Sequence, residues 1–133
     1  MTTKTITQVV TLPAPPAAVF AALMNEKKHT AFTDAPAKID ARVGGAFRCY
    51  GGYLYGITLE LVPGKLIVQA WRSRHWPKGF YSIVTFALAA AGVGKTKLHF
   101  TQVGVPARDA ASKTKGWSFH YWEPLKRYLA GSK

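Results

Sequence analysis

Apolar and polar residues alternate along most of this chain, and the alternation gives way to helical spacing in two places. Residues 5–12 alternate, with β-branched side chains, and predict a first strand. Pro13, Pro15 and Pro16 end it, and the last two suit a helix start, where a missing N–H costs nothing. Val19, Phe20, Leu23 and Met24 follow at helical spacing. A second short helix over residues 26–32 stops at Asp34-Ala35-Pro36. Six short strands then follow, at 37–43, 47–50, 54–62, 65–74, 80–89 and 96–103. The turns between them fall at Gly44-Gly45, Gly51-Gly52, Pro63-Gly64, Trp76-Pro77-Lys78-Gly79 and around Gly92 and Gly94. A last helix is predicted from about Asp109 to Ala130, roughly 30 Å long. Pro124 lies inside it and cannot donate to the carbonyl of His120, so a kink or local opening is expected there.

Strand, two helices, a run of strands with tight turns, then a long helix: this order predicts an α+β domain. An antiparallel meander would carry the helices on one face. No repeat or linker interrupts it, so residues 1–133 are read as one domain with one core.

Composition narrows the function classes. Apolar residues make up 48% of the chain and aromatics 13%, enough for a real core without metals or disulfides. The single Cys49 cannot form an internal disulfide, and no apolar run has the length of a signal peptide or membrane span. A cytoplasmic protein is expected. The net charge of +12 favours acidic surfaces, but the bases are scattered rather than clustered. The segment Trp71-Arg72-Ser73-Arg74-His75-Trp76-Pro77-Lys78 mixes bases with aromatics, yet it is short, and no nucleic-acid partner is expected.

Catalytic patterns are missing. His29, His75, His99 and His120 have no metal-type spacing with other ligands and are expected at the surface or a helix rim. Cys49 has no partner histidine visible in the sequence and is read as an inert buried thiol. No phosphate loop or nucleophile elbow occurs. No enzyme activity, metal or cofactor is expected.

An ordered set of segments carries a family resemblance. It includes Phe32-Thr33-Asp34-Ala35-Pro36-Ala37, Val43-Gly44-Gly45-Ala46-Phe47, Leu61-Val62-Pro63, Trp71-Arg72, Trp76-Pro77, Gly104-Val105-Pro106 and Gly116-Trp117. With these the chain resembles the C-terminal domain of activators of the heat shock protein 90 ATPase, within the START-like, polyketide-cyclase-like superfamily. The resemblance implies a helix-grip fold, a curved antiparallel sheet wrapped around a long C-terminal helix. Eukaryotic activators of this kind carry a further N-terminal domain, so this chain is expected to be a stand-alone form.

In such a fold one sheet face packs on the helix, and alternation assigns the faces. The inward sets are Ile67, Gln69, Trp71 and Ser73; Phe80, Ser82, Val84, Phe86 and Leu88; and Thr96, Leu98, Phe100 and Gln102. Arg72, Arg74, Tyr81, Ile83, Lys97 and His99 face out, since an unpaired buried charge is costly. Ile57, Leu59 and Leu61 are expected inward, with Phe47 and Cys49. Trp117, Tyr121, Leu125 and Tyr128 form one helix stripe. The polar groups on the inner face admit two readings. They bond one another in a filled core, or they converge on a small-ligand site. The expected site is lined by Gln69, Trp71, Ser82, Phe86, Phe100, Gln102, Trp117 and Tyr121. A non-enzymatic module for a small apolar or amphipathic ligand is the first functional reading. A co-chaperone that docks on a chaperone ATPase is the alternative.

Overall fold

A computed structural model describes residues 2–131. Seven strands form one antiparallel sheet: β1 (Thr3–Leu12), β2 (Ala37–Ile39), β3 (Ala46–Cys49), β4 (Leu54–Val62), β5 (Leu66–Ser73), β6 (Ser82–Ala90) and β7 (Thr96–Pro106). Their order across the sheet is β1-β7-β6-β5-β4-β3-β2, so β1 closes onto the last strand and the rest is a meander. Helices α1 (Pro16–Met24) and α2 (Glu26–Thr33) follow β1. Pro16 occupies the first turn of α1, as expected. Asn25 separates the two helices, its side chain accepting from the Lys28 N–H at 3.0 Å to cap α2. The core lies between one sheet face and the helices, and its largest fully buried side chains are Phe86 and Phe100.

Alternation assigns β5, β6 and β7 correctly from Ile67 to Ser73, from Ser82 to Leu88 and from Thr96 to Gln102. Arg72 projects from the outward set yet is buried. Its guanidinium lies 5.2 Å from the Tyr55 ring centroid and 5.9 Å from that of Tyr81, and donates to the Trp76 carbonyl. Ile57, Ala70, Ile83 and Val103 share one cross-strand row on the outer face.

The expected phase of β4 is reversed in its first half. Ile57 and Leu59 are 42% and 45% exposed, while Gly56 and Thr58 face the core. A Cβ on Gly56 would run into the Ala70 carbonyl and the Phe47 ring, so this strand is inward where it is smallest. Thr58 is placed by accepting from Gln69 Nε2 at 3.2 Å. A bulge between Thr58 and Glu60 then shifts the register and returns Leu61 to the core side.

The last helix changes type along its length. After a 3-10 turn (Ala107–Asp109) come α3 (Ala110–Gly116), a π-helical turn (Trp117–Trp122) and α4 (Glu123–Leu129). The Glu123 N–H reaches five residues back, to the Ser118 carbonyl. Pro124 supplies the cause, because it has no N–H to continue an α ladder through this region. The expected opening thus takes the form of a wide turn. In a regular α-helix, residues five apart point about 140° away from each other. Here Trp117 and Trp122 stack instead, with ring centroids 5.5 Å apart and planes at 22°. The wide turn brings both indoles, and Tyr121 between them, onto the sheet side.

Candidate functional site

A cavity of about 690 Å³ lies between the N-terminal half of the last helix and the end of the sheet where β4 begins and β5 ends. Lys113, Gly116, Trp117 and His120 line it from the helix. Leu54, Trp71 and Ser73 line it from the sheet, with Tyr50, Tyr53 and Trp76 from the adjoining loops. No carboxylate is among its lining residues.

Four of the eight expected residues, Trp71, Gln102, Trp117 and Tyr121, form its inner wall. Gln69, Ser82, Phe86 and Phe100 do not reach it, which corrects the expected lining. They fill the core behind the wall, where side chains from both layers already meet. The Phe100 and Trp117 ring centroids are 4.3 Å apart, and those of Phe86 and Phe100 5.5 Å.

The inward polar groups form one chain of bonds. Trp117 Nε1 donates to Gln102 Oε1 at 2.8 Å, and Gln102 Nε2 to Ser82 Oγ at 2.9 Å. Ser82 Oγ donates to the Trp71 carbonyl at 3.0 Å, and Trp71 Nε1 to Gln69 Oε1 at 2.7 Å. Each buried donor is satisfied, so the network fixes the two wall indoles in place. Gln69 and Ser82 thereby position the wall without touching the space.

A second buried group corrects two expectations. His29 is 1% exposed rather than on a helix rim. Its Nε2 lies 2.6 Å from the Tyr121 hydroxyl and 3.7 Å from Cys49 Sγ, so the thiol does have a histidine neighbour. Burial lowers the His29 pKa to about 4 and raises that of Cys49 to about 12. Burial also pushes the Tyr121 hydroxyl well above its ordinary value. All three are therefore neutral near pH 7, and no thiolate–imidazolium pair forms. Nδ1 of the same ring has no partner among the described residues, and which atom donates in the Tyr121–Nε2 bond follows the ring's tautomer. Among the described residues no three histidines, cysteines or carboxylates converge as metal ligands.

Sequence reasoning missed the polar end of the cavity. Lys113 is half-buried, with Nζ within hydrogen-bond reach of Ser73 Oγ. Nζ also lies 5.3 Å from the Tyr53 ring centroid and 5.6 Å from that of Trp76. Burial lowers its pKa, and the charge of Asp109 opposes that shift. The Asp109 carboxylate itself accepts from Trp76 Nε1 at 2.9 Å. The available signal was spacing: Lys113 stands four residues before Trp117 and so shares its face of the helix. At the other end of the cavity, the Tyr50 hydroxyl donates to the His120 carbonyl at 2.7 Å. Pro124 has no N–H to offer that carbonyl.

The architecture and sequence have known counterparts. The human activator of 90 kDa heat shock protein ATPase homolog 1 is 36% identical over 97 residues, which covers 73% of this chain. The chain spans 28% of the length of that human relative. Among solved structures, an HSP90 activator from Plasmodium falciparum superposes with a TM-score of 0.86 at 23% identity, over 96% of both chains. CalU16 from Micromonospora echinospora superposes with a TM-score of 0.81 at 20% identity, over 96% of this chain and 77% of its own. These likenesses show a shared fold, the helix-grip arrangement expected above. The family model for activator of Hsp90 ATPase homolog 1-like proteins matches residues 13–130, and the chain belongs to that family.

Proposed function

We propose that this domain is a non-enzymatic binding module whose cavity holds a small apolar or amphipathic molecule. One observation carries the reading. Gly116 sits in helical conformation, φ −61° and ψ −43°, in the cavity wall. A Cβ there would meet nothing within 4 Å. Glycine inside a helix costs about 1 kcal/mol relative to alanine, and nothing in the protein's own packing requires it. A bare stretch of helix facing aromatic walls is what a ligand lying along it needs. The neutral His29, Cys49 and Tyr121 support binding over catalysis, since burial withholds an ionised nucleophile from the cavity.

The test is titration with a neutral solvatochromic dye such as Nile red. The parent is expected to bind it saturably. Gly116→Leu, which extends a side chain into the space, is expected to weaken binding at least tenfold while remaining folded. Equal dye binding by both would sink the cavity reading.

The family match favours a second reading, docking on a chaperone ATPase. The +12 charge suits an acidic chaperone surface. Steering raises encounter rates more than it selects a conformation, however, and ATPase stimulation requires differential affinity for the active state. Weak, salt-sensitive contact with little stimulation is therefore expected. Steady-state ATPase assays of the cognate chaperone at low and physiological salt decide it. Strong saturable stimulation that survives physiological salt would make this reading primary.

A further inference from the structure

We propose that the ligand of this cavity is an amphipathic monoanion whose carboxylate is held by Lys113 and Ser73. The inference rests on the binding reading above and names its ligand class.

The polar end of the cavity is rich in donors, since the Lys113 ammonium and the Ser73 hydroxyl both line it. An ammonium group has three hydrogens, and the only hydrogen bond Lys113 Nζ makes among the described residues is to Ser73 Oγ. Lys113 forms no ion pair among those residues. Ser73 is almost fully buried, and its hydroxyl hydrogen has no acceptor among the same residues. Asp109, the nearby acid, accepts from Trp76 Nε1 through Oδ2 and forms no ion pair with Lys113. Two ammonium hydrogens and one hydroxyl hydrogen thus remain to be met, beside a half-buried positive charge. A carboxylate supplies one negative charge and two acceptor oxygens, which matches that inventory. A dianion would leave surplus charge against the apolar walls.

The rest of the space sets the remainder of the molecule. From Lys113 past Gly116 to His120 the helix advances about 10 Å. Along that length the ligand would meet Trp117, Trp71 and Leu54, with the Tyr50–His120 bond closing the far end. An apolar body of roughly that length, carrying its charge at one end only, fits. Lys115 and His120 are exposed at the rim, where solvent already satisfies them. They do not compete for the head group.

The experiment compares three probes of one chain length, dodecanoate, dodecan-1-ol and dodecylammonium, by displacement of Nile red. Each is also followed directly by calorimetry. The parent is expected to bind dodecanoate at least about tenfold more tightly than the alcohol, the usual gain from hydrogen bonds to a charged group. The ammonium should bind weakest. Lys113→Met should erase the preference for dodecanoate over dodecan-1-ol, and Lys113→Arg should keep much of it. Ser73→Ala should reduce it in part. Dye and alcohol binding with no preference for dodecanoate would overturn the anion assignment and leave the cavity reading standing. No saturable binding of dye or any probe to the folded parent would overturn both. A preference that survives in folded Lys113→Met would also overturn it, by placing the head group elsewhere.

Discussion

The Tyr121 hydroxyl and His29 Nε2 lie 2.6 Å apart, joining the long helix to α2 across 92 residues of sequence. His29 is held neutral by burial, with a folded pKa of about 4 against an ordinary 6.5. A depressed folded value means that the unfolded chain takes up the proton first. The stabilisation is whole above about pH 6.5 and is lost as the pH falls toward 4, amounting to about 3 kcal/mol at most. His29→Gln removes this proton linkage. The parent should lose melting temperature more steeply than His29→Gln between pH 7 and 4, and parallel profiles would refute the assignment.

Trp117 has two roles with one indole. One side packs on Phe100 and Trp122, and the other faces the cavity. Trp117→Ala should cost about 3–5 kcal/mol by denaturant unfolding, a large share of the stability of a domain this size. A midpoint shift worth less than about 1 kcal/mol would mean that the packed side carries little of the energy.

Tyr50 and Pro124 should be energetically coupled through the His120 carbonyl. The Tyr50 hydroxyl satisfies the His120 carbonyl, which Pro124 cannot serve. Tyr50→Phe alone should cost about 1 kcal/mol. In a Pro124→Ala background a backbone N–H becomes available, and the same change should cost less. A double-mutant cycle with no interaction energy would show that the carbonyl does not depend on the tyrosine.

Two glycines should respond in opposite directions to alanine. Gly56→Ala drives a methyl into the Ala70 carbonyl and the Phe47 ring, and should destabilise by about 1–3 kcal/mol or more. Gly116→Ala meets open space and should stabilise by about 0.5–1 kcal/mol. Thermal melts of both variants test the pair, and a destabilised Gly116→Ala would remove the argument drawn from that glycine.

Much of this fold is legible in the amino-acid sequence. Element order, the α+β class and the inward sets of β5 to β7 follow from alternation, because bases mark the outer face of β5 and β7 and the bulk of Val84, Phe86 and Leu88 marks the inner face of β6. β4 departs from this rule, because the apolar bulk of Ile57 and Leu59 faces out. Its inner face is instead small at Gly56, to admit Phe47, and then shifts at a bulge that no pattern announces. His29 was misplaced because its neighbours Lys27, Lys28 and Thr30 read as a wet helix. Only the arrival of Tyr121 and Cys49 from distant elements buries it. The cavity was half legible for a related reason. Inward parity finds residues that face the core, but a void is where facing layers fail to meet, and that depends on the distances between them.

The pairing of β1 with β7 sets a timetable for folding. Leu12 pairs with Thr96 and Thr3 with Pro106, whereas β2 to β7 are joined by successive short-range pairings. Loop closure over more than eighty residues must precede the first of these contacts, which places such pairings late and slow. During synthesis β1 emerges before β2 to β6 and waits for β7 until all of them have been made. Until then β7 presents an open edge, and so does any chain whose β1 has not yet docked. The interval before that last strand closes is when this protein is most exposed to joining a neighbour instead of itself.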